Sequence, residues 1–483
     1  MDIPAYINLE EFIPSRLALE QLPEDIAKRL QVLPVALNKA TSELTLAHSA
    51  EPSLPVRDSL CRCIDKSLTI NWVKADPKLI GRSIENCYLL QHDVLSLIEQ
   101  CWQGNENPAA IPALLDALLS RSIEARASDV HISASNEVIE IRLRIDGVIS
   151  ILGSLPISML DALTVRVKII SELDIAETRR PQDGQFRRLI NGVFVECRVS
   201  TFPTCQGENI VMRLLDQQQR HRTLSELALP DATAKQLRSL VQQPSGMLVV
   251  CGPTGSGKSS TLFSLLGERD IAMLNVMSLE DPVEIRMPGI RQSNVDSDHG
   301  LGFASGVRAL LRQDPDVLLI GEMRDADSAA MAFRAAMTGH QVLTTVHAAD
   351  SLSTIDRLRE LGITAEVLSS TVRGIVAQRL LRKSCEFCCT HDLTEKHDCA
   401  GSVNCTVCQG AGYFGRQAIV EVFSFTNSIR KRIKSHCSTQ DLMECALREG
   451  FSSLREAANS LLRSGLTSQA EINRVLGREV SEK

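Results

Sequence analysis

Along the chain the rhythm of apolar and polar positions changes several times, and each change suggests a boundary. Residues 1–104 mix helical stretches with short apolar runs such as Gln31-Val-Leu-Pro-Val-Ala-Leu37. No recognisable chemistry falls there, which predicts an interaction domain. The polar, turn-rich segment Gln103-Gly-Asn-Glu-Asn-Pro-Ala109 reads as a linker. Apolar residues then recur at helical spacing over Ile111-Pro-Ala-Leu-Leu-Asp-Ala-Leu-Leu-Ser120. Strand-like alternation follows at Val138–Ile145, closed by Asp146-Gly147, a hairpin turn signal. Two more alternating stretches, Gly192–Thr201 and Asn209–Leu215, complete a small α+β domain over 107–216. A second polar linker spans Gln217–Arg222. Over 230–384, short apolar strands alternate with helical segments, the pattern of a parallel βαβ sheet. A cysteine-dense piece at 385–408 interrupts it, and residues 409–483 form a C-terminal region that turns helical from about 424.

Composition narrows the picture only modestly. At 483 residues the chain is long enough for about three to four domains with real cores. A net charge of −7 exerts no overall pull toward nucleic acid or anionic lipid. The sequence has no apolar run of eighteen residues, and its first residues lack a basic segment followed by an apolar one. A cytosolic protein is therefore expected, its fifteen cysteines reduced and any cluster of them suited to metal.

The sharpest chemistry is at Gly252-Pro-Thr-Gly-Ser-Gly-Lys-Ser-Ser260, directly after the apolar run Gly246–Cys251. This is G-x-x-x-x-G-K-[ST] in a strand–loop–helix context, a phosphate-cradling loop for a nucleoside triphosphate. Backbone N–H groups of Gly252, Thr254, Gly255, Ser256 and Gly257 face the anion, and Pro253, which has none, helps set the loop's shape. Lys258 supplies a point charge toward the β- and γ-phosphates, the Ser259 hydroxyl suits Mg²⁺, and a helix opening at Ser259 and Ser260 aims its positive end at the anion. Two acids end apolar strands: Glu280 after Met273–Leu279, and Glu322 after Asp316–Ile320. Carboxyl ends of parallel strands line one crevice, so both can face the nucleotide. Glu322 suits a water-activating base or metal-side acid and Glu280 its partner, and the division of roles is open. A third strand, Gln341–Val346, ends in His347 and is preceded by His340. His347, right at the strand end, is the preferred residue to sense the γ-phosphate or relay a change to the next subunit, ahead of His340; the alternative is a half-buried structural imidazole.

These blocks come in a telling order. Gly252–Ser259, Leu279-Glu-Asp-Pro-Val-Glu284, Leu311–Asp325 and Thr338–His347 closely resemble the Walker A, Asp box, Walker B and His box of the secretion ATPases. Upstream, Ala127-Ser-Asp-Val-His131, Arg142-Leu-Arg-Ile-Asp-Gly147, Pro181-Gln-Asp-Gly184 and Arg198–Thr204 agree. The resemblance, over about 107–425, is to the assembly motors of type II secretion and type IV pili, the GspE/PilB group. It implies a PAS-like α+β domain followed by a RecA-like ATPase core in a homohexamer. It also implies three arginines reaching the phosphates, Arg198, Arg213 and Arg357, and partners among inner-membrane platform proteins reached through the N-terminal domain. On this basis the chain is expected to be peripheral to the inner membrane.

Cys385-Glu-Phe-Cys388 and Cys405-Thr-Val-Cys408 have the spacing of a four-cysteine zinc site. A closed tetrahedron of thiolates is structural rather than catalytic. Redox pairing is the alternative, and Cys389, Cys399, His391 or His397 can substitute as a ligand. Within the family such a knuckle accompanies assembly motors and is lacking in retraction motors. Beyond it, Arg416 and Glu421 are expected to form a structural ion pair.

The leading expectation is an ATPase driving pseudopilus assembly in type II secretion, with type IV pilus assembly as the alternative. The compact N-terminal domain leans toward secretion. That domain lacks the Arg-Leu-Gly-rich repeats by which some relatives bind a cyclic dinucleotide, so no such regulation is expected. A nucleic-acid translocase is disfavoured by acidic charge and the lack of a basic stretch interleaved with aromatics. A non-hydrolysing scaffold is disfavoured by the joint presence of Lys258, Glu280 and Glu322.

Overall fold

The computed structural model describes residues 111–190, 193–216, 223–296, 300–387, 405, 407–408 and 410–478. Before these it describes 6–7, 12–13, 16–19, 21–38, 41–49, 56–57, 60, 63–65, 67–77, 80–81, 83–84 and 94–102. They fall into two compact units, residues 1–219 and 220–483.

In the first unit, β1 (Tyr6–Ile7), β3 (Val32–Asn38), β4 (Glu43–His48) and β5 (Thr69–Ala75) make a four-stranded sheet in the order β1-β5-β4-β3. Leu33, Leu44, Leu46 and Val73 fill its core. The short β2 (Phe12–Ile13) leaves this sheet and pairs in parallel with β9 (Gln182–Ile190) of the next one. That second sheet also holds β6 (Ala127–Ala134), β7 (Val138–Ile145), β8 (Val148–Pro156), β10 (Val193–Thr204) and β11 (Gly207–Asp216), in the order β2-β9-β10-β11-β6-β7-β8. The alternation read in Val138–Ile145 is realised: Ile139, Ile141 and Leu143 are buried while Arg142 and Arg144 take the other face. Asp146 and Gly147 both have positive φ, 48° and 84°, as a two-residue hairpin requires. Helices Val94–Trp102, Ile111–Glu124 and Leu160–Ile170 cover the apolar face, and the first adds Val94, Leu97, Ile98 and Cys101 to this core.

The second unit is built on β12 (Gly246–Cys251), β13 (Val276–Glu280), β14 (Arg291–Asn294), β15 (Val317–Ile320), β16 (Gln341–Val346), β17 (Val372–Ser384) and β18 (Tyr413–Ser424). Their order is β14-β13-β15-β16-β12-β17-β18, parallel throughout except for the antiparallel β17–β18 edge. Every residue of β12, β13, β15 and β16 is buried, as in a sheet covered on both faces. Alternate residues serve two cores. Met247, Val249 and Cys251 pack toward helices Phe303–Leu310, Ala326–Met337, Ser351–Glu360 and the C-terminal helices. Leu248 and Val250 pack toward helices Asp231–Val241 and Lys258–Leu266. The architecture is thus the mixed α/β, multidomain one read from the sequence. Chain order reverses beside β12, where β16 and β17 flank it, and this opens a crevice at the carboxyl ends of the strands.

Two expectations are refined. The apolar run from Met273 is not all strand: Ile271–Met273 is a 3₁₀ turn and β13 begins at Val276. The helix after the phosphate loop begins at Lys258, one residue earlier than read.

Candidate nucleotide site

The phosphate loop joins β12 to the Lys258–Leu266 helix, with Gly257 as N-cap at φ 86°, a left-handed conformation that favours glycine. At Gly252 a Cβ would lie 2.5 Å from Ser256 Oγ and 2.7 Å from the Gln378 carbonyl, so the loop is closed tightly against β17. Ser256 Oγ is buried without a hydrogen-bond partner, an orphaned polar atom that suits a loop shaped for an anion. Lys258 Nζ donates to the carbonyls of Gly252 (3.0 Å) and Pro253 (3.1 Å). Burial holds its pKa below the ordinary lysine value. Ser259 is exposed on the first helical turn, where its hydroxyl can meet a cation.

Two residues that the sequence reading passed over lie at this loop, and the first of them holds it. Gln378, buried in β17, donates from Nε2 to the Ser256 carbonyl (2.8 Å) and accepts from Thr261 Oγ1 (2.5 Å). Arg379 donates to the carbonyls of Gln378 (2.9 Å) and Ala349 (2.5 Å). The signal available was a polar pair inside the apolar run Ile375-Val-Ala-Gln-Arg-Leu-Leu381.

Both predicted acids stand at strand ends. Glu280 is buried; its Oε1 accepts from Ser278 Oγ (2.6 Å) and Gln292 Nε2 (3.0 Å). Burial pushes its pKa up more than these bonds lower it. Glu322 follows β15, contacts Arg324 and lies 3.2 Å from His347 Nε2. The Arg324 guanidinium reaches on to Asp281 at 3.2 Å. His347 stays below the ordinary imidazole value, first through burial and then through the Lys258 and Arg324 cations. A neutral imidazole beside an ionised carboxylate carries its hydrogen on Nε2 and donates it.

The structure separates the two histidines. His340 precedes β16 and His347 follows it, so they lie at opposite ends of the strand, roughly 20 Å apart. His340 Nδ1 instead meets Thr338 Oγ1 (3.1 Å) and the Ala335 carbonyl (2.9 Å) at the end of a helix. Arg357, on the Ser351–Glu360 helix, reaches the residues that follow β15: it contacts the Arg324 carbonyl at 3.5 Å and pairs with Glu360 at 3.0 Å.

Arg198 and Arg213 belong to the first unit, where they face each other across β10 and β11. The same cross-strand row continues to Asp129 on β6 and Arg144 on β7. Asp129 accepts from Arg213 Nε at 3.0 Å and has Arg144 Nε at 3.7 Å.

Beyond β17, Cys385, Cys405 and Cys408 bring their sulfurs within 4.8 Å of one another. The Gly412 N–H donates to Cys408 Sγ at 3.3 Å, a bond that suits a thiolate ligand. This donor set fits a soft, tetrahedral metal such as zinc. Cys388, with Cys389, His391, His397 and Cys399, lies outside the described residues. The expected Arg416–Glu421 ion pair is not what engages Glu421. Five residues apart on β18, the two side chains leave opposite faces. The Glu421 carboxylate accepts instead from Ser351 and Leu454.

Comparison with known proteins agrees with this geometry. A family model described as "Type II/IV secretion system protein" matches residues 104–474, and one described as "MshEN domain" matches residues 1–94. Over 370 residues the chain is 39% identical to the type II secretion system protein HxcR of Pseudomonas aeruginosa, covering 77% of this chain and 78% of that one. It is 34% identical over 507 residues to the type IV pilus assembly ATPase PilB of Myxococcus xanthus, covering 97% and 88%. Among solved structures, the Legionella pneumophila ATPase DotB superposes with a TM-score of 0.58 at 22% identity, covering 75% of this chain and 95% of that one, a likeness of fold. Among the described residues no helix is long and apolar enough to cross a membrane. With a phosphate loop, two strand-end acids and a histidine gathered at one sheet edge, the chain belongs to the type II/IV secretion system protein family and is an ATP-hydrolysing enzyme.

Proposed function

We propose that the protein is the hexameric ATPase that drives pseudopilin addition in a type II secretion machine. It would work at the cytoplasmic face of the inner membrane, joined to platform proteins through its N-terminal domain and binding no nucleic acid. The observation that carries the reading is the gathering of Lys258, Glu280, Glu322 and His347 at the carboxyl ends of adjoining strands. The relation to HxcR supports the choice of system.

In this reading the loop N–H groups and Lys258 hold the phosphates, and Ser259 holds Mg²⁺, which when bound neutralises charge on the β- and γ-oxygens. Of the two assignments left open by the sequence, the geometry favours Glu280 as the base. It is buried at the strand end, both of its hydrogen bonds fall on Oε1, and burial raises its pKa and with it its basicity. Glu322 then serves the metal side, with His347 donating to it and reporting on the γ-phosphate. Arg357, Arg198 and Arg213 would neutralise charge on the transferring group, as the family resemblance implies. Cys385, Cys388, Cys405 and Cys408 would hold a structural zinc ion.

A type IV pilus assembly motor is the second reading, favoured by the alignment with PilB over 97% of the chain. Deletion in the host, complemented with the wild type or Glu322→Gln, tests both. Loss of extracellular protein with pili intact supports secretion; loss of surface pili with secretion intact supports the second reading. Loss of neither removes both.

A further inference from the structure

Glu421 is a buried acid that no step above uses. Its Oε1 accepts from the backbone N–H (2.8 Å) and the hydroxyl (2.7 Å) of Ser351, the first residue of the Ser351–Glu360 helix. Its Oε2 accepts from the N–H of Leu454 (3.0 Å), the first residue of the Leu454–Arg463 helix. Each helix already has its own N-cap: Asp350 takes the N–H of Ser353, and Ser453 takes that of Glu456. Glu421 therefore satisfies a second orphan donor at both ends, and two helix dipoles converge on its charge.

The first of these helices begins four residues after His347 and carries Arg357. The joining segment is fastened again by Arg379, which donates to the Ala349 carbonyl at 2.5 Å. The second helix belongs to the C-terminal region. One carboxylate thus ties the segment between His347 and Arg357 to a part of the fold remote in sequence.

We propose that Glu421 is the positioning residue that fixes the segment bearing His347 and Arg357, and that it fixes this segment relative to the C-terminal helices. The inference rests on the ATPase reading above. Nucleotide binding by the phosphate loop does not pass through Glu421, whereas the response to the γ-phosphate does.

The test uses the full-length protein with Glu421→Gln, Ser351→Ala and the double variant. Steady-state ATP turnover is measured, with fluorescent ADP binding to check that the loop is folded. Glu421→Gln should lower kcat on the order of tenfold, the loss of charge-assisted hydrogen bonds, with KM and ADP affinity within about twofold. Ser351→Ala should lower kcat about threefold, and the double variant should be no slower than Glu421→Gln. Wild-type turnover in Glu421→Gln, whatever its melting temperature, overturns the proposal, as do losses that multiply in the double variant. Should Glu421→Gln fail to bind ADP, Ser351→Ala decides: an unchanged kcat overturns the proposal and a selective fall in kcat supports it. A wild-type chain no faster than Lys258→Ala would bring down the ATPase reading, and this inference with it.

Discussion

Replacing Gln378 by alanine should weaken nucleotide binding although Gln378 itself need not touch nucleotide. Its amide bridges two parts of the phosphate loop region, donating to the Ser256 carbonyl at 2.8 Å and accepting from Thr261 Oγ1 at 2.5 Å. Each such bond contributes a net ~1 kcal/mol, so about 2 kcal/mol holds the loop in shape. If that energy is spent only when the loop must wrap an anion, affinity for ADP falls about thirtyfold. The hydroxyl of Thr261, fully buried, is also left unpartnered, which costs the fold about 1–3 kcal/mol. Titration with a fluorescent ADP analogue, alongside urea unfolding, reads both terms. Gln378→Glu separates them, because it keeps an acceptor for Thr261 but sets a carboxylate against the Ser256 carbonyl. That variant should lose affinity with a smaller loss of stability. Wild-type affinity and stability in Gln378→Ala would refute the reasoning.

Other outcomes follow from the same geometry. Glu280→Gln and Glu322→Gln should each lower turnover by roughly 10²–10⁴-fold while ADP still binds, as single-turnover and binding assays would show. His347 has a folded pKa below its unfolded value of 6.5, so on acidification the unfolded chain takes the proton first. Its contribution to stability is present above about pH 6.5 and is lost as pH falls through the folded value. His347→Gln should therefore flatten the decline of melting temperature as pH falls below about 6.5, modestly, because the ring is half-exposed. Cys408→Ser should take zinc content from about one per chain to near none and lower the melting temperature, with ADP affinity unchanged. Retained zinc would sink the cysteine site.

Much of the nucleotide site was legible because its chemistry sits in contiguous blocks. The Gly246–Cys251 run had to be a buried strand, and the glycine-rich segment after it could only turn. Glu280, Glu322 and His347 were readable because each stands at or within two residues of the end of an apolar run, and parallel strands bring such ends to one edge. What the sequence hid depends on pairing between distant segments. Gln378 meets the loop only because β17 pairs with β12 across more than a hundred residues. Glu421 looked like a partner for Arg416, but an odd spacing on a strand sends the two to opposite faces. His347, which directly follows the strand, was the preferred histidine over His340, and the length of β16 sets the two at opposite ends. The row of Arg198, Arg213, Asp129 and Arg144 likewise exists only through strand register.

The most direct test of the central claim is ATP turnover per subunit against protein concentration, with Lys258→Ala as the blank and with and without single-stranded DNA. A hexameric motor predicts a rate that rises with concentration to a plateau, vanishes in the blank and ignores DNA. Turnover that survives in the blank, or that depends on DNA, would contradict it.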